Sequence, residues 1–137
     1  MIEALAEVAE KFVVVNISGS PVSMPWADKV DAIVQGWYGG TESGNALADV
    51  LTGKVNPSGR LPFSVPFKYE DGPIKTESQY PGIKEEGDEY WQTHYSEGVY
   101  VGYRWYDSKD VPVQFPFGHG LSYTTFEYGD AQVADGV

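Results

Sequence analysis

The sequence contains no cysteine. This absence excludes disulfide bonds, cysteine-ligated zinc and thiol nucleophiles. The chain also lacks any apolar run near the ~20 residues that a membrane-spanning helix requires. Basic residues are few: 9 Lys and Arg stand against 20 Asp and Glu, giving a formal net charge of −11. Because that charge repels phosphate backbones and anionic lipid surfaces, we expect neither nucleic acid nor a membrane as a partner.

Motifs for metal, nucleophile or phosphate chemistry are equally scarce. The two histidines, His94 and His119, have no third ligand at a metal-like spacing, which predicts no metal site. Ser18 and Ser20 lie in Ser-Gly-Ser rather than in the Gly-x-Ser-x-Gly of a nucleophile elbow. The glycine-rich segment 36–44 lacks the Gly-Lys-Ser/Thr ending of a phosphate-binding loop. We therefore expect no cofactor.

The composition that remains suits one folded domain rich in loops. Hydrophobic residues make up 42% of the 137 residues, which is enough for a core. Sixteen Gly, nine Pro and 15% aromatic residues indicate long loops held by ring packing rather than a helical bundle.

The first 65 residues alternate between helical and extended patterns. A helix is predicted over 2–10, followed by a buried β-branched strand over Phe12–Ser18. A second buried strand over Val30–Trp37 leads into a helix over Thr41–Leu51, capped by Thr41 or Ser43, and Gly53 fits its C-terminal cap. A short extended segment then ends at Val65. This order predicts an α/β fold with mainly parallel strands.

The rest of the chain has a different character. Residues 66–95 are predicted to form a long acidic loop, and residues 96–126 an aromatic region that closes the domain. Within it, segment 97–107 fits a strand by its alternating apolar residues and a helix by its tyrosines at every third position, and periodicity leaves both open. We expect residues 127–137 to begin a linker.

The sequence pattern does not identify any pair of acidic residues as catalytic. Glu42 lies at a strand-to-helix junction, where α/β sheets place ligands, but we favour its interpretation as a first-turn helix carboxylate. We interpret Glu97 as structural and the acidic cluster 85–89 as solvated loop. Five aromatic residues could stack on sugar rings or pack in the core: Trp37, Tyr38, Trp91, Trp105 and Tyr106.

Five motif blocks follow one another between residues 2 and 130. They are SGSPVSMPW at 18–26, IVQGWYGGTESGNALADVLTG at 33–53, VNPSGRLP at 55–62, EGVYVGYRWYD at 97–107 and FPFGHGLSYTTF at 115–126. The first three resemble the second domain of glycoside hydrolase family 3 β-glucosidases. The last two resemble the segment in which that domain passes into a fibronectin type III-like domain.

The resemblance implies the C-terminal portion of an (α/β)6 sandwich. In the family that the chain resembles, a (β/α)8 barrel precedes the sandwich, and the active site lies between these two domains. Cleavage there is retaining, with a nucleophilic aspartate in the barrel and an acid/base glutamate ahead of the strand matched by Phe12–Ser18. No residue of this chain matches either carboxylate. The family's Gly-x-Glu-Gly-Gly pattern reads here as Gly40-Thr-Glu-Ser-Gly44, so Glu42, Trp37 and Tyr38 are expected to face the cleft without catalysing.

The implied function is that of a piece of an enzyme that removes terminal β-D-glucosyl residues, contributing scaffold and cleft wall. The alternative is a non-catalytic carbohydrate- or protein-binding module on the same fold. The implied partners are the barrel, the first half of the sandwich and a β-glucoside. Half a sandwich would expose strand edges and apolar surface, so self-association is also expected. The acidic N-terminus predicts no signal peptide, and the resemblance implies a secreted or periplasmic parent.

Overall fold

A computed structural model describes residues 1–133. Its regular elements are the helices α1 (Ile2–Ala6), α2 (Ser43–Leu51) and α3 (Tyr103–Lys109), and the strands β1 (Val13–Asn16), β2 (Ala32–Gln35), β3 (Val65–Pro66) and β4 (Val113–Phe115). Short 3-10 helices span Ala27–Lys29, Gly40–Glu42 and Tyr69–Asp71. The linker predicted over 127–137 falls in part outside the described residues.

Strands β1 and β2 form a parallel pair in which Val13 lies opposite Ala32 and Asn16 opposite Gln35. The β-branched runs therefore form the parallel strands that the sequence predicts, and the α/β class is confirmed. Both strands are shorter than predicted, and they are less covered. Val13 of β1 is 45% exposed, and Ile17, which directly follows the strand, is 56% exposed, because within residues 1–133 the sheet has only these two strands.

Strands β3 and β4 form a second, antiparallel pair, with Val65 opposite Phe115. The expectation of mainly parallel strands thus holds only for β1 and β2. Antiparallel pairing arises because the chain reverses direction between Pro66 and Val113 through the long loop and α3. Most of the core lies here: Val65 and Tyr106 are buried, together with Met24, whose backbone carbonyl accepts a hydrogen bond from Gln114 at 2.8 Å.

Segment 97–107 resolves into a turn followed by helix α3, whose seven residues run from Tyr103 to Lys109. Gly102 precedes the helix with φ 57°, and Asp110 ends it in the left-handed conformation with φ 52°. Trp105 is held by an indole hydrogen bond to the Asp71 carbonyl at 2.9 Å. Tertiary contacts with the loop therefore select the helix over the strand.

The predicted helix over 2–10 is only α1, five residues long. An ion pair between Lys29 and Glu3, 2.7 Å long, joins it to the 3-10 helix after β1. The hydrogen bond from Lys29 lowers the pKa of Glu3 and raises the pKa of Lys29. Both groups are exposed, so the pair orients α1 more than it stabilises it.

Candidate functional site

The carboxyl ends of β1 and β2 lie side by side, because the strands are parallel and in register from Val13 to Asn16. The chain leaves β1 through Ile17–Ser20 and leaves β2 through Gly36–Glu42. Ligands of open α/β sheets bind at this edge. We call six polar or aromatic residues at this edge the carboxyl-end cluster: Asn16, Ser18, Gln35, Trp37, Tyr38 and Glu42.

Two amides and a hydroxyl connect the two strand ends. The Asn16 side-chain amide donates to Gln35 Oε1 at 2.7 Å and to Ser18 Oγ at 2.9 Å. The Gln35 amide donates to the Ser18 carbonyl at 2.9 Å. These half-buried groups satisfy one another, as polar groups removed from water must. The network fixes the direction in which both chains leave the sheet.

The sequence analysis missed this network. It gave Asn16 no role, and it considered Ser18 only to exclude a nucleophile elbow. A signal was available, because each apolar run ends in an amide residue, Asn16 after Val13–Val15 and Gln35 after Ala32–Val34. Their direct opposition depends on the strand register, which the sequence pattern does not provide.

Trp37 adopts a left-handed backbone conformation, with φ 54°. A bulky residue rarely does so, and the strain costs about 1–3 kcal/mol. Its half-buried ring packs edge-on against Phe63, with centroids 5.2 Å apart and planes at 69°. Phe63 therefore helps to hold the sharp turn that separates β2 from the following helix.

Tyr38, the next residue, is 77% exposed. Its ring lies against the backbone of Gly19, where a Cβ atom would come within 2.7 Å of Tyr38 Cε2. The absence of a side chain at Gly19 thus lets the ring cross over the end of β1. An aromatic face is left open at the carboxyl end of the sheet.

Glu42 lies at the N-terminus of α2 and is exposed. Its carboxylate accepts a hydrogen bond from the Asn45 amide at 2.6 Å, across the first turn of the helix. The prediction that Thr41 or Ser43 caps α2 is wrong: Glu42 occupies the cap position and no side chain makes a capping bond. The 3-10 turn Gly40–Glu42 moves the helix start to Ser43. Gly53 follows the helix with φ 76°, as the cap prediction requires.

Three of the other acidic residues considered from sequence accept hydrogen bonds. Glu97 accepts one from the Gln79 amide at 3.1 Å. Asp88 accepts one from the Glu85 backbone at 3.0 Å, and Glu89 one from the Tyr90 hydroxyl at 2.7 Å. These three carboxylates therefore contribute to the order of the loop around them.

An apolar groove with a volume of about 350 Å³ begins beside the cluster, at the loop that follows β1. Tyr106 lies in its wall, and burial raises the pKa of this tyrosine. Residues that line the groove include Ser20, Pro21, Pro66, Tyr69, Pro73 and Tyr106.

Within residues 1–133 no group of three or more His, Asp or Glu side chains is placed to hold a metal ion. His119 lies instead beside the Phe115 ring, with centroids 5.2 Å apart. None of the helices within residues 1–133 combines the length and the apolar character needed to cross a bilayer.

Comparisons of this chain with a family model and with known proteins indicate the same family. The glycosyl hydrolase family 3 C-terminal domain matches residues 1–103. The chain is similar to β-glucosidase BoGH3A of Bacteroides ovatus, with 52% identity over 93% of this chain and 17% of that protein. It is also similar to thermostable β-glucosidase B of Acetivibrio thermocellus, with 50% identity over 97% of this chain and 17% of that protein.

Solved structures agree with this result. The chain superposes on β-glucosidase 3B of Thermotoga neapolitana, determined in complex with glucose, with a TM-score of 0.82 and 43% identity over 97% of this chain and 19% of that one. It spans about a sixth of the length of the curated relatives named above. From the match over residues 1–103 and these relatives, the chain belongs to the glycosyl hydrolase family 3 C-terminal domain family.

Proposed function

We propose that this chain acts as part of a retaining β-glucosidase that removes terminal non-reducing β-D-glucosyl residues. It forms the C-terminal portion of an (α/β)6 sandwich and supplies scaffold and part of the cleft wall. The observation that carries this proposal is the family match over residues 1–103, together with relatives that are β-glucosidases. We assign no catalytic residue to the chain.

The surface of the chain supports a role within a larger body. It exposes 10712 Å², whereas a folded monomer of 15.1 kDa exposes about 7,100 Å². Only Met24, Val65 and Tyr106 are buried apolar residues among those described. A surface of this extent indicates faces that further polypeptide covers, and in this proposal a barrel and the rest of the sandwich cover them.

The chemistry of retention requires two carboxyl groups about 5–5.5 Å apart on opposite sides of the scissile bond. We propose that both come from the covering polypeptide. Glu42, Trp37 and Tyr38 then face the cleft from the carboxyl ends of β1 and β2. Glu42 is tied to Asn45 and positions the start of α2, while the open face of Tyr38 is available to a substrate ring.

Hydrolysis of a chromogenic aryl β-glucoside tests the proposal. The chain is assayed alone and mixed with a separately expressed polypeptide carrying the barrel and the first half of the sandwich. Activity is expected only in the mixture. Activity of the chain alone would contradict the assignment of both carboxylates elsewhere, and an inactive but correctly assembled mixture would contradict the proposed function.

The cleft position of Tyr38 has its own test in the active mixture. Tyr38→Ala is expected to raise KM about two- to tenfold, because a ring contact worth about 0.5–1.5 kcal/mol is removed. The matched control is Tyr128→Ala, since Tyr128 is 93% exposed and lies far along the chain from the cluster. Equal kinetics for both variants would place Tyr38 outside the cleft.

A further inference from the structure

Residues 80–95 form a cross-bonded hairpin with aromatic residues on its outside, which we call the aromatic hairpin. Ile83 and Gln92 exchange backbone hydrogen bonds of 2.9 and 2.8 Å, forming an antiparallel bridge. At its tip, the backbone of Glu85 donates to Asp88 Oδ2 at 3.0 Å, and the backbone of Asp88 donates to the Glu85 carbonyl at 3.1 Å. The tip is therefore a closed turn rather than a free loop.

The base of the hairpin is also fixed. The Gly82 backbone donates to the Glu77 carbonyl at 2.7 Å, and the His94 backbone donates to the Ser78 carbonyl at 2.8 Å. Gly82 has φ 109°, and a Cβ atom there would lie 2.7 Å from the Gln92 carbonyl oxygen. The two arms thus touch at a position that only glycine fits. A ligand would meet a backbone that is already ordered, which reduces the entropy lost on binding.

Four aromatic rings on this rigid frame are largely exposed. Tyr80 is 64% exposed, Tyr90 68%, Trp91 62% and Tyr95 81%. Within residues 1–133 none of the four has a stacked aromatic ring or a cation over its face. The neighbouring Trp105 and Tyr106 differ, since Trp105 donates to the Asp71 carbonyl and Tyr106 is 7% exposed. Core packing therefore accounts for Trp105 and Tyr106 of α3 but not for the rings of the hairpin.

The polar groups around the rings define the chemistry of a ligand. The tip carries the carboxylates of Glu85, Glu86, Asp88 and Glu89. Glu89 accepts a hydrogen bond from the Tyr90 hydroxyl at 2.7 Å, so a carboxylate lies at the edge of an exposed ring. Carboxylates accept hydrogen bonds from hydroxyl groups and repel anions. Open ring faces beside such acceptors suit a neutral, hydroxyl-rich ring and disfavour an acidic polymer.

We propose that the aromatic hairpin is a non-catalytic binding surface for a neutral β-linked glucan, with Trp91 and Tyr95 stacking on its sugar rings. The choice of a glucan rests on the proposed function, whereas the neutrality and the hydroxyl chemistry follow from the hairpin. The hairpin shares no residue with the carboxyl-end cluster, and in this proposal it holds a polymer rather than positioning the bond that is cut.

Affinity electrophoresis in native gels containing a water-soluble mixed-linkage β-glucan tests this proposal. The chain is expected to be retarded by the β-glucan and not by polygalacturonate, an anionic polysaccharide. Trp91→Ala and Tyr95→Ala are each expected to weaken binding about two- to tenfold. Trp91→Tyr retains a ring and is expected to retain most of the retardation. Tyr128→Ala removes a ring that is 93% exposed and lies outside the hairpin, and this variant is expected to bind like the unchanged chain.

Three results would overturn the proposal: no retardation by the β-glucan, equal retardation of the chain and Trp91→Ala, or loss of self-association in Trp91→Ala with retardation unchanged. The last result would assign the rings to a protein contact. Because retardation requires no bond cleavage, it is independent of the aryl β-glucoside assay. Retardation of the chain together with an inactive mixture would support the hairpin surface and contradict the enzymatic role. An active mixture without retardation would support the enzymatic role and contradict the hairpin surface.

Discussion

At the scale of single residues, the carboxyl-end cluster depends on amide chemistry. Gln35 uses both ends of its side chain, accepting from Asn16 and donating to Ser18. A half-buried amide that bridges two strands contributes more to stability than an exposed one. Its removal leaves its partners without the hydrogen bond and without full access to water. The role of Gln35 is therefore to hold the chain directions that place Trp37 and Tyr38.

Gln35→Leu is expected to lower the free energy of unfolding by about 1–3 kcal/mol, since it leaves the Ser18 carbonyl and the Asn16 amide without their partner. Urea unfolding followed by circular dichroism measures the change. The control is Asn45→Ala, which removes only the exposed bond to Glu42 and is expected to change stability by less than about 0.5 kcal/mol. Similar losses in both variants would contradict a bridging role for Gln35.

Tyr106 predicts a dependence of stability on alkaline pH. Burial raises its pKa above the ordinary value of 10.0 in the folded chain. The unfolded chain therefore loses this proton first, so the stabilisation is complete below 10.0 and is lost as the pH rises toward the folded pKa. Tyr106→Phe is expected to flatten this fall in unfolding free energy, measured by urea titrations across that range. Tyr128→Phe, at a 93% exposed position, should retain the slope of the unchanged chain.

At the scale of elements, most of the ordered structure beyond α2 is stabilised by contacts between segments rather than by local propensity. Helix α3 is too short to be stable alone and relies on the bond from Trp105 to the Asp71 carbonyl. Segment 118–123 is joined in the same way to segment 56–61. The Asn56 side chain accepts from the Tyr123 backbone at 2.8 Å, and Tyr123 donates to the Val50 carbonyl at the end of α2 at 2.9 Å.

The hairpin provides a prediction at this scale. Gly82→Ala and Gly87→Ala each place a side chain at positive φ, 109° and 98°, which costs about 1–2 kcal/mol per residue. Only Gly82→Ala also drives a Cβ atom into the Gln92 carbonyl, whereas space around Gly87 is open. We expect the amides of Ile83 and Gln92 to exchange hydrogen faster in Gly82→Ala than in Gly87→Ala. Equal exchange rates would contradict a role for the close approach of Gly82 and Gln92 in holding the arms together.

At the scale of the whole molecule, exposed area exceeds what a folded monomer of this mass presents, and the described core is small. Two strand pairs leave edges with unpaired backbone groups, and such edges pair with other polypeptide. The same property underlies the proposed enzyme and the expected self-association, since either partner removes the exposed surface from water.

Light scattering after size exclusion tests self-association. The isolated chain is expected to show an apparent mass above 15.1 kDa that rises with concentration. Addition of the polypeptide carrying the barrel and first half of the sandwich should replace these species by a one-to-one complex. A chain that remains monomeric at all concentrations, with no binding of a dye that reports exposed apolar surface, would contradict this expectation.

The sequence by itself determined what local pattern and motif order encode. The β-branched runs specified β1 and β2 as a parallel pair, the apolar stripe of segment 41–51 specified α2, and Gly53 specified its end. The five motif blocks specified the family. These features depend on neighbours within about ten positions or on characteristic strings, both of which can be read along the chain.

Tertiary structure alone decided the features that join distant segments. The pattern of segment 97–107 is compatible with both helix and strand. The hydrogen bond from Trp105 to the Asp71 carbonyl, 34 positions away, favours the helix. The antiparallel pairing of Val65 with Phe115, the opposition of Asn16 and Gln35, and the left-handed backbone of Trp37 beside Phe63 each require a partner whose position only the fold sets. Strand register and ring packing depend on contacts between residues that are distant in sequence. Those contacts contribute to stability only in the folded chain, so local sequence patterns do not reveal them.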